Sequence, residues 1–199
     1  MKCVLVGCGD FCKERFAVAE GDYVVAVDGG YDKIKDLCRV DLAVGDFDSL
    51  GYLPEGIATL RHDPVKDYTD MQLALEETFR QGHREFVIYG ALGGRLDHTL
   101  GNLQIAYAFV RKGADVKLVD NSCDVEIIKD TKRFQGHAGQ VFSLFAFDSA
   151  KGVDIVNAKY PLDNATLTNT FPIGVSNELL DGECEVRVKE GTLLFILQR

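Results

Sequence analysis

No apolar run in the 199 residues approaches the ~18–20 positions that a membrane-crossing helix needs. There is no basic surplus either: 22 Lys and Arg stand against 31 Asp and Glu, a formal net charge of −9. Nucleic-acid binders normally carry a basic surface, so no nucleic acid is expected as a partner, and no anionic membrane. The six cysteines (Cys3, Cys8, Cys12, Cys38, Cys123 and Cys184) form no C-x-x-C pair and match no zinc spacing. Cys3, Cys8 and Cys12 are close enough in sequence to leave a cluster ligand set open, against the simpler reading of reduced, mostly buried thiols. No G-x-x-x-x-G-K-[ST] phosphate loop occurs, and Gly7-Cys8-Gly9 has Cys12 where a dinucleotide fingerprint has its third glycine. Ser49, Ser143 and Ser176 lack the context of a nucleophile elbow. His62, His83, His98 and His137 are scattered singly, and tryptophan is absent.

What is present is the composition of an ordinary globular protein, 46% hydrophobic and 27% charged. A chain of this length can bury ~70% of its unfolded surface in one large or two small domains. The segment Met1-Lys2-Cys3-Val4-Leu5-Val6-Gly7 reads as a strand, its apolar stretch shorter than the ~7–15 residues of a signal-peptide core. The expected location is cytoplasmic.

The first 120 residues alternate strand and helix patterns, which predicts an α/β domain with a mostly parallel sheet. Lys2–Val6, Tyr23–Val27, Leu42–Val44, Phe86–Tyr89 and Val116–Val119 are near-continuous apolar runs, as strands covered on both faces should be. Thr69 and Gln72 stand where a capping box starts a helix, which would bury Met71, Ala74, Leu75, Thr78 and Phe79. A second helix is expected from about His98 to Lys112, with Asp97 as its N-cap, Leu100, Leu103, Tyr107 and Val110 inward, and a stop at Gly113. Past about Asp130 the pattern becomes short strands and turns: Val141–Phe147, Val153–Val156, Ala165–Thr170, Cys184–Lys189 and Thr192–Leu197, with Glu190-Gly191 as a hairpin turn. The expected domains are therefore 1–130, α/β, and 131–199, a small all-β sandwich.

Charge is concentrated where chemistry is expected. Nine of the twenty aspartates lie between Asp28 and Asp70, several directly after strands. Ligands of open α/β sheets bind at the carboxyl ends of strands. Asp46 and Asp48, two residues apart in Gly45-Asp46-Phe47-Asp48-Ser49, repel each other unless a hard cation such as Mg²⁺ lies between them, yet the same residues are good turn formers. Both readings stay open. Asp70 falls in the first turn of a helix, where the macrodipole favours a carboxylate anyway; Asp67 and the approach His62-Asp63-Pro64-Val65-Lys66 have no such explanation. Gly90-Ala91-Leu92-Gly93-Gly94-Arg95-Leu96-Asp97-His98 is a glycine-rich strand-to-helix loop, able to bring backbone N–H groups close to phosphate oxygens, with Arg95 as a donor fork.

These blocks in this order (Asp28-Gly29-Gly30, Gly45-Asp46-Phe47-Asp48-Ser49, Lys66-Asp67-Tyr68-Thr69-Asp70 and Gly90–His98) resemble the motifs of the thiamine pyrophosphokinase family. Lys159-Tyr160-Pro161-Leu162 and Ser176-Asn177-Glu178 are similar to its C-terminal motifs. The resemblance covers nearly the whole chain. It implies transfer of pyrophosphate from ATP to the hydroxyl of thiamine, giving thiamine pyrophosphate and AMP, with Mg²⁺ as cofactor. It implies an α/β domain that binds nucleotide and metal, a β-sandwich that binds thiamine and dimerises, and a homodimer with its sites between subunits. Carried over by motif, Asp46, Asp48, Asp70 and Asp97 would be catalytic, the first three as metal ligands. Asp28, Gly29, Gly30, Asp67, Gly93, Gly94 and Arg95 would bind ATP; Asn102, Tyr160, Ser176 and Asn177 would bind thiamine. Tyr160 stands where the family commonly has Trp. Two readings compete: a nicotinamide-dependent oxidoreductase built on Gly7-Cys8-Gly9 with Asp28 at the ribose, and a non-catalytic nucleotide or thiamine sensor.

Overall fold

The computed structural model describes residues 1–61 and 68–199. The chain divides into two compact units, Met1–Asn121 and Ser122–Arg199. The sequence places the change of pattern later. The strand after Asn121, Cys123–Ile128, pairs antiparallel with the last strand of the chain, which puts it in the second unit.

In the first unit six strands form one parallel sheet: β1 (Cys3–Val6), β2 (Tyr23–Val27), β3 (Leu42–Gly45), β4 (Ala58–Arg61), β5 (Glu85–Tyr89) and β6 (Asp115–Val119). Their spatial order is β6-β5-β1-β2-β3-β4. The chain winds one way from β1 to β4 and then returns to the other side of β1 for β5. The sheet therefore has a topological switch point between β1 and β5, the place where open α/β sheets open a crevice for ligands. The five strands read from the sequence are all present. The short helix α1 (Gly30–Ile34) and the edge strand β4, largely exposed and without the apolar pattern of its neighbours, were not legible.

Helix α2 (Asp70–Arg80) begins as the capping box predicts: the Thr69 side chain accepts from the Gln72 N–H at 3.2 Å. Met71, Ala74, Leu75 and Thr78 are buried. Helix α3 (Leu96–Arg111) differs from expectation in two respects. Its N-cap is Arg95, and Asp97 sits in the first turn. Its buried face is Ile105, Ala106, Phe109 and Val110, while Leu100 is exposed. Phe109 meets Phe79 of α2 and Phe86 of β5 at ring-centroid distances of 5.6 and 6.4 Å; of the residues expected inward, Val110 is buried and Leu103 and Tyr107 are half-buried. Among the described residues no helix is long and apolar enough to cross a membrane.

The second unit is built of strands alone. β7 (Cys123–Ile128), β9 (Val141–Ala146), β12 (Asn177–Glu178) and β14 (Leu193–Gln198) form one antiparallel sheet in the order β12-β9-β14-β7. β8 (Thr131–Gly136), β10 (Ser149–Val156), β11 (Leu162–Thr168) and β13 (Gly182–Arg187) form a second, in the order β11-β10-β13-β8. Both contribute to one buried cluster. Phe134 of β8 lies 5.2 Å from Phe142 of β9 and 4.8 Å from Phe195 of β14, so three rings join the two sheets. Cys184, Val186 and Val188 are buried and Arg187 and Lys189 exposed, the alternation of a half-covered strand. Glu190-Gly191 is not a hairpin turn: β13 and β14 lie in different sheets, and the connection crosses between them.

Candidate active site

The loops leaving β1 and β5 meet at the switch point. Gly7 N–H donates to the Tyr89 carbonyl at 2.9 Å, Gly9 N–H to Gly90 at 2.8 Å and Asp10 N–H to Leu92 at 3.2 Å, so the pairing of the two strands continues into their loops. Gly93 lies at φ +75, and a Cβ there would come within 2.2 Å of an Asp10 carboxylate oxygen. The two glycine-containing loops line a cleft of about 640 Å³, together with Asp28, Asp70, Arg95, Asp97 and Asn102. Gly7-Cys8-Gly9, an incomplete fingerprint by sequence, is thus part of the site. Only the parallel neighbours β1 and β5 bring it opposite Gly90–Gly94.

Asp28 follows β2 directly, with φ +47. Its Oδ1 is buried with no hydrogen-bond partner among the described residues and lies against Gly45, where a Cβ would come within 2.0 Å of it. Burial pushes this carboxyl up to about 7, helped by the charge of Asp70, a side-chain hydrogen bond to it and the charge of Asp46; the Phe47 N–H pulls the other way. The fold has therefore brought Asp70 and Asp46, from two other segments, within electrostatic reach of Asp28. Phe47 is held in the left-handed region (φ +62) with its ring buried at 4% exposure, and Asp46 Oδ1 accepts the Asp48 N–H at 3.0 Å. The turn reading of this motif is real. It also fixes the backbone that carries both carboxylates, and strained φ values of this kind cluster at functional sites. Asp48 is exposed, and with Asp46, Tyr52 and Arg61 it lines a smaller cleft of about 280 Å³.

Arg95 and Asp97 form a two-point ion pair at 2.5 and 3.1 Å, both largely exposed at the start of α3. The guanidinium holds the Asp97 carboxyl below the usual carboxylate range. Asn102 donates its amide to the Ala91 carbonyl at 2.7 Å, tying α3 to the glycine-rich loop. Gly29 caps α1, and Gly30 is buried where a Cβ would collide with the Val6 carbonyl at 1.9 Å, so Gly30 is explained by the close approach of α1 to β1. Asp67, with His62-Asp63-Pro64-Val65-Lys66, lies outside the described residues.

In the second unit Tyr160 is exposed and its backbone is clamped by Asn177: the Tyr160 N–H donates to Asn177 Oδ1 at 3.0 Å, and Asn177 Nδ2 donates to the Tyr160 carbonyl at 2.7 Å. Asn177 is buried and its side chain is largely used by this clamp. Ser176 is exposed at φ +59, with its N–H donated to Ser143 Oγ at 3.1 Å.

Among the described residues no three acidic, histidine or cysteine side chains are gathered closely enough to enclose a metal by themselves. A hard divalent cation does not require that. Mg²⁺ usually takes one or two carboxylates and completes its shell with waters and substrate phosphates. The orphaned Asp28 oxygen and the repulsion of Asp28 by Asp70 and Asp46 would be relieved by a bound cation, so the donor set fits such an ion.

Residues 17–118 match the family model described as thiamin pyrophosphokinase, catalytic domain, and residues 125–193 match thiamin pyrophosphokinase, vitamin B1 binding domain. A thiamine pyrophosphokinase of Bacillus subtilis is 28% identical over 183 residues, covering 86% of this chain and 85% of that protein. The crystal structure of a thiamin pyrophosphokinase from Geobacillus thermodenitrificans superposes with a TM-score of 0.87 at 26% identity, over 100% of this chain and 98% of that one. A yeast thiamin pyrophosphokinase shares the fold, with a TM-score of 0.73 at 14% identity over 99% of this chain and 86% of its own. The order of motifs, the crevice at the switch point and these two successive matches agree, and the chain belongs to the thiamin pyrophosphokinase family.

Proposed function

We infer that this protein transfers the pyrophosphoryl group of ATP to the hydroxyl of thiamine, releasing AMP and thiamine pyrophosphate. The observation that carries this reading is the convergence of Asp28, Asp46 and Asp70 beside a glycine-lined cleft at the sheet's switch point. A triphosphate is an anion and thiamine a fixed cation; a site that joins close-approaching backbone, a guanidinium and clustered carboxylates suits both.

The thiamine hydroxyl oxygen forms a bond to the β-phosphorus, and the bond from that phosphorus to the oxygen shared with the α-phosphate breaks. That oxygen leaves with AMP, and the hydroxyl proton goes to solvent or a neighbouring base. Transfers of this kind have loose transition states, so alignment and charge neutralisation decide the rate. In this reading the Gly90–Gly94 loop admits the phosphates closely and Arg95 offers its fork to their oxygens. Asn102 holds the loop through Ala91. Asp46, Asp48 and Asp70, with Asp28 beside them, hold Mg²⁺. Bound there, the ion supplies charge neutralisation at the phosphate oxygens. Asp97 positions Arg95 until phosphate competes for it. Asp67, Gly29 and Gly30 complete the nucleotide side. Tyr160 and Ser176 offer exposed groups to thiamine, and Asn177 fixes the backbone that presents Tyr160.

The finer description that goes with this activity is a nucleotide- and metal-binding α/β domain followed by a thiamine-binding, dimerising β-sandwich in a cytoplasmic homodimer, with each site shared between subunits. Exposed Phe171, Ile173 and Val175 in one loop of the second unit support a partner surface there. Incubation with Mg-ATP and thiamine followed by mass analysis tests the reaction. Thiamine pyrophosphate with AMP is the expected pair; thiamine monophosphate with ADP contradicts it.

A further inference from the structure

Lys33 has no part in the motifs that carry the family resemblance, yet it is tied to the cleft. It projects from α1, and its ammonium donates to the carbonyl oxygens of Gly7 (3.3 Å) and Gly9, the two glycines of the loop that leaves β1. It is half-buried; desolvation pulls it below its ordinary range, and Cys8 and Asp10 act in the opposite sense. Lysine seldom gives up its water without a purpose in the fold or the site.

The geometry has a consequence for the opposite side of the loop. A trans peptide holds its C=O and N–H antiparallel. The peptide whose Gly7 carbonyl is held by Lys33 therefore turns the Cys8 N–H the other way, and Cys8 is a cleft-lining residue. The amide of Gly9 is already engaged by the Gly90 carbonyl, so the loop is pinned from both sides. The cleft itself is short of positive charge: Asp10, Asp28, Asp70 and Asp97 line it against Arg95, which is paired with Asp97. We infer that Lys33 is a positioning residue for the nucleotide: it locks Gly7-Cys8-Gly9 so that the Cys8 N–H faces the triphosphate, and it places a cation directly behind that loop.

The inference rests on the nucleotide reading of this cleft, and equilibrium binding separates the two. Mg-ATP is titrated calorimetrically into the wild-type chain, Lys33→Met and Lys33→Arg, each checked by circular dichroism, and initial rates are then measured against ATP and thiamine. Lys33→Met is expected to weaken Mg-ATP about tenfold, raising KM for ATP by the same factor while kcat and KM for thiamine stay within about twofold; Lys33→Arg is expected to recover most of the loss. If Lys33→Met does not fold, Lys33→Gln takes its place with the same expectation. Unchanged Mg-ATP affinity in a folded neutral variant overturns the assignment and leaves the proposed reaction standing. An equal rise of both KM values, or a loss confined to kcat, overturns it too. A wild-type chain that binds no Mg-ATP overturns the nucleotide reading and this inference with it.

Discussion

One carboxylate in each unit shows opposite treatment, although the first unit also holds paired ones such as Asp97 with Arg95. In the second, Glu185 lies between Arg133 and Arg187 and is held below the usual range, first by its hydrogen bond to Arg133. Asp124 is buried against Arg199. In the first, Asp28 is pushed up to about 7 by burial and by two other aspartates; one oxygen of each residue lacks a hydrogen bond among the described residues, but that of Glu185 lies in the ion pair with Arg187, whereas the charges that act on Asp28 are other carboxylates. Satisfied charge is what a scaffold needs. Charge left in conflict at the end of a parallel strand lowers stability and persists because something that binds there relieves it. That contrast is the reason to place the chemistry in the first unit.

Perturbing each side of the contrast should give opposite phenotypes. The largest expected effect is in the scaffold: Phe195→Ala removes one of the three rings that join the two sheets and should cost about 3–5 kcal/mol, read by urea unfolding. A cost under about 1 kcal/mol would mean that the ring cluster is not the joint it looks to be. Next is Asp70→Asn, which should lower turnover about a hundredfold, on the scale of losing one preorganised electrostatic contact, with the melting temperature unchanged or raised. Wild-type turnover in that variant would remove Asp70 from the site.

Asp28→Asn sharpens the comparison through pH. The folded carboxyl titrates at about 7 against an ordinary value of 3.8. Its protonation stabilises the fold fully below pH 3.8, and that stabilisation is lost as pH rises through 7. In the absence of metal the asparagine variant should therefore be more stable than wild type at pH 8, by about 1–2 kcal/mol after discounting for partial exposure, and the advantage should vanish near pH 4. A variant less stable at pH 8 would show that Asp28 is not in conflict. The smallest effect is Thr69→Ala, which removes the α2 cap and should cost about 1 kcal/mol in thermal unfolding.

Local signals were legible where local physics decides. The five buried parallel strands and the Thr69 cap follow from apolar runs and side-chain chemistry, and the aspartates after β2 and β3 could be placed at the sheet's ligand edge from sequence alone. What was not legible depends on partners distant in the chain. Gly7-Cys8-Gly9 joins the cleft because β1 lies beside β5. Asp28 is perturbed by Asp70, which arrives from another crossover. The buried face of α3 includes Phe109, which packs on Phe79 and Phe86 from other elements, and Asp97 pairs with Arg95 in its first turn. Glu190-Gly191 has the composition of a hairpin turn, but sheet membership decides its path.

The most direct test of the central claim is anomalous diffraction from crystals of the protein grown with Mn²⁺ and a non-hydrolysable ATP analogue. An anomalous peak is expected among the carboxylates of Asp46, Asp48 and Asp70, beside Asp28, with the analogue's phosphates against the Gly90–Gly94 loop. A metal bound elsewhere, with those carboxylates turned from it, would contradict the account.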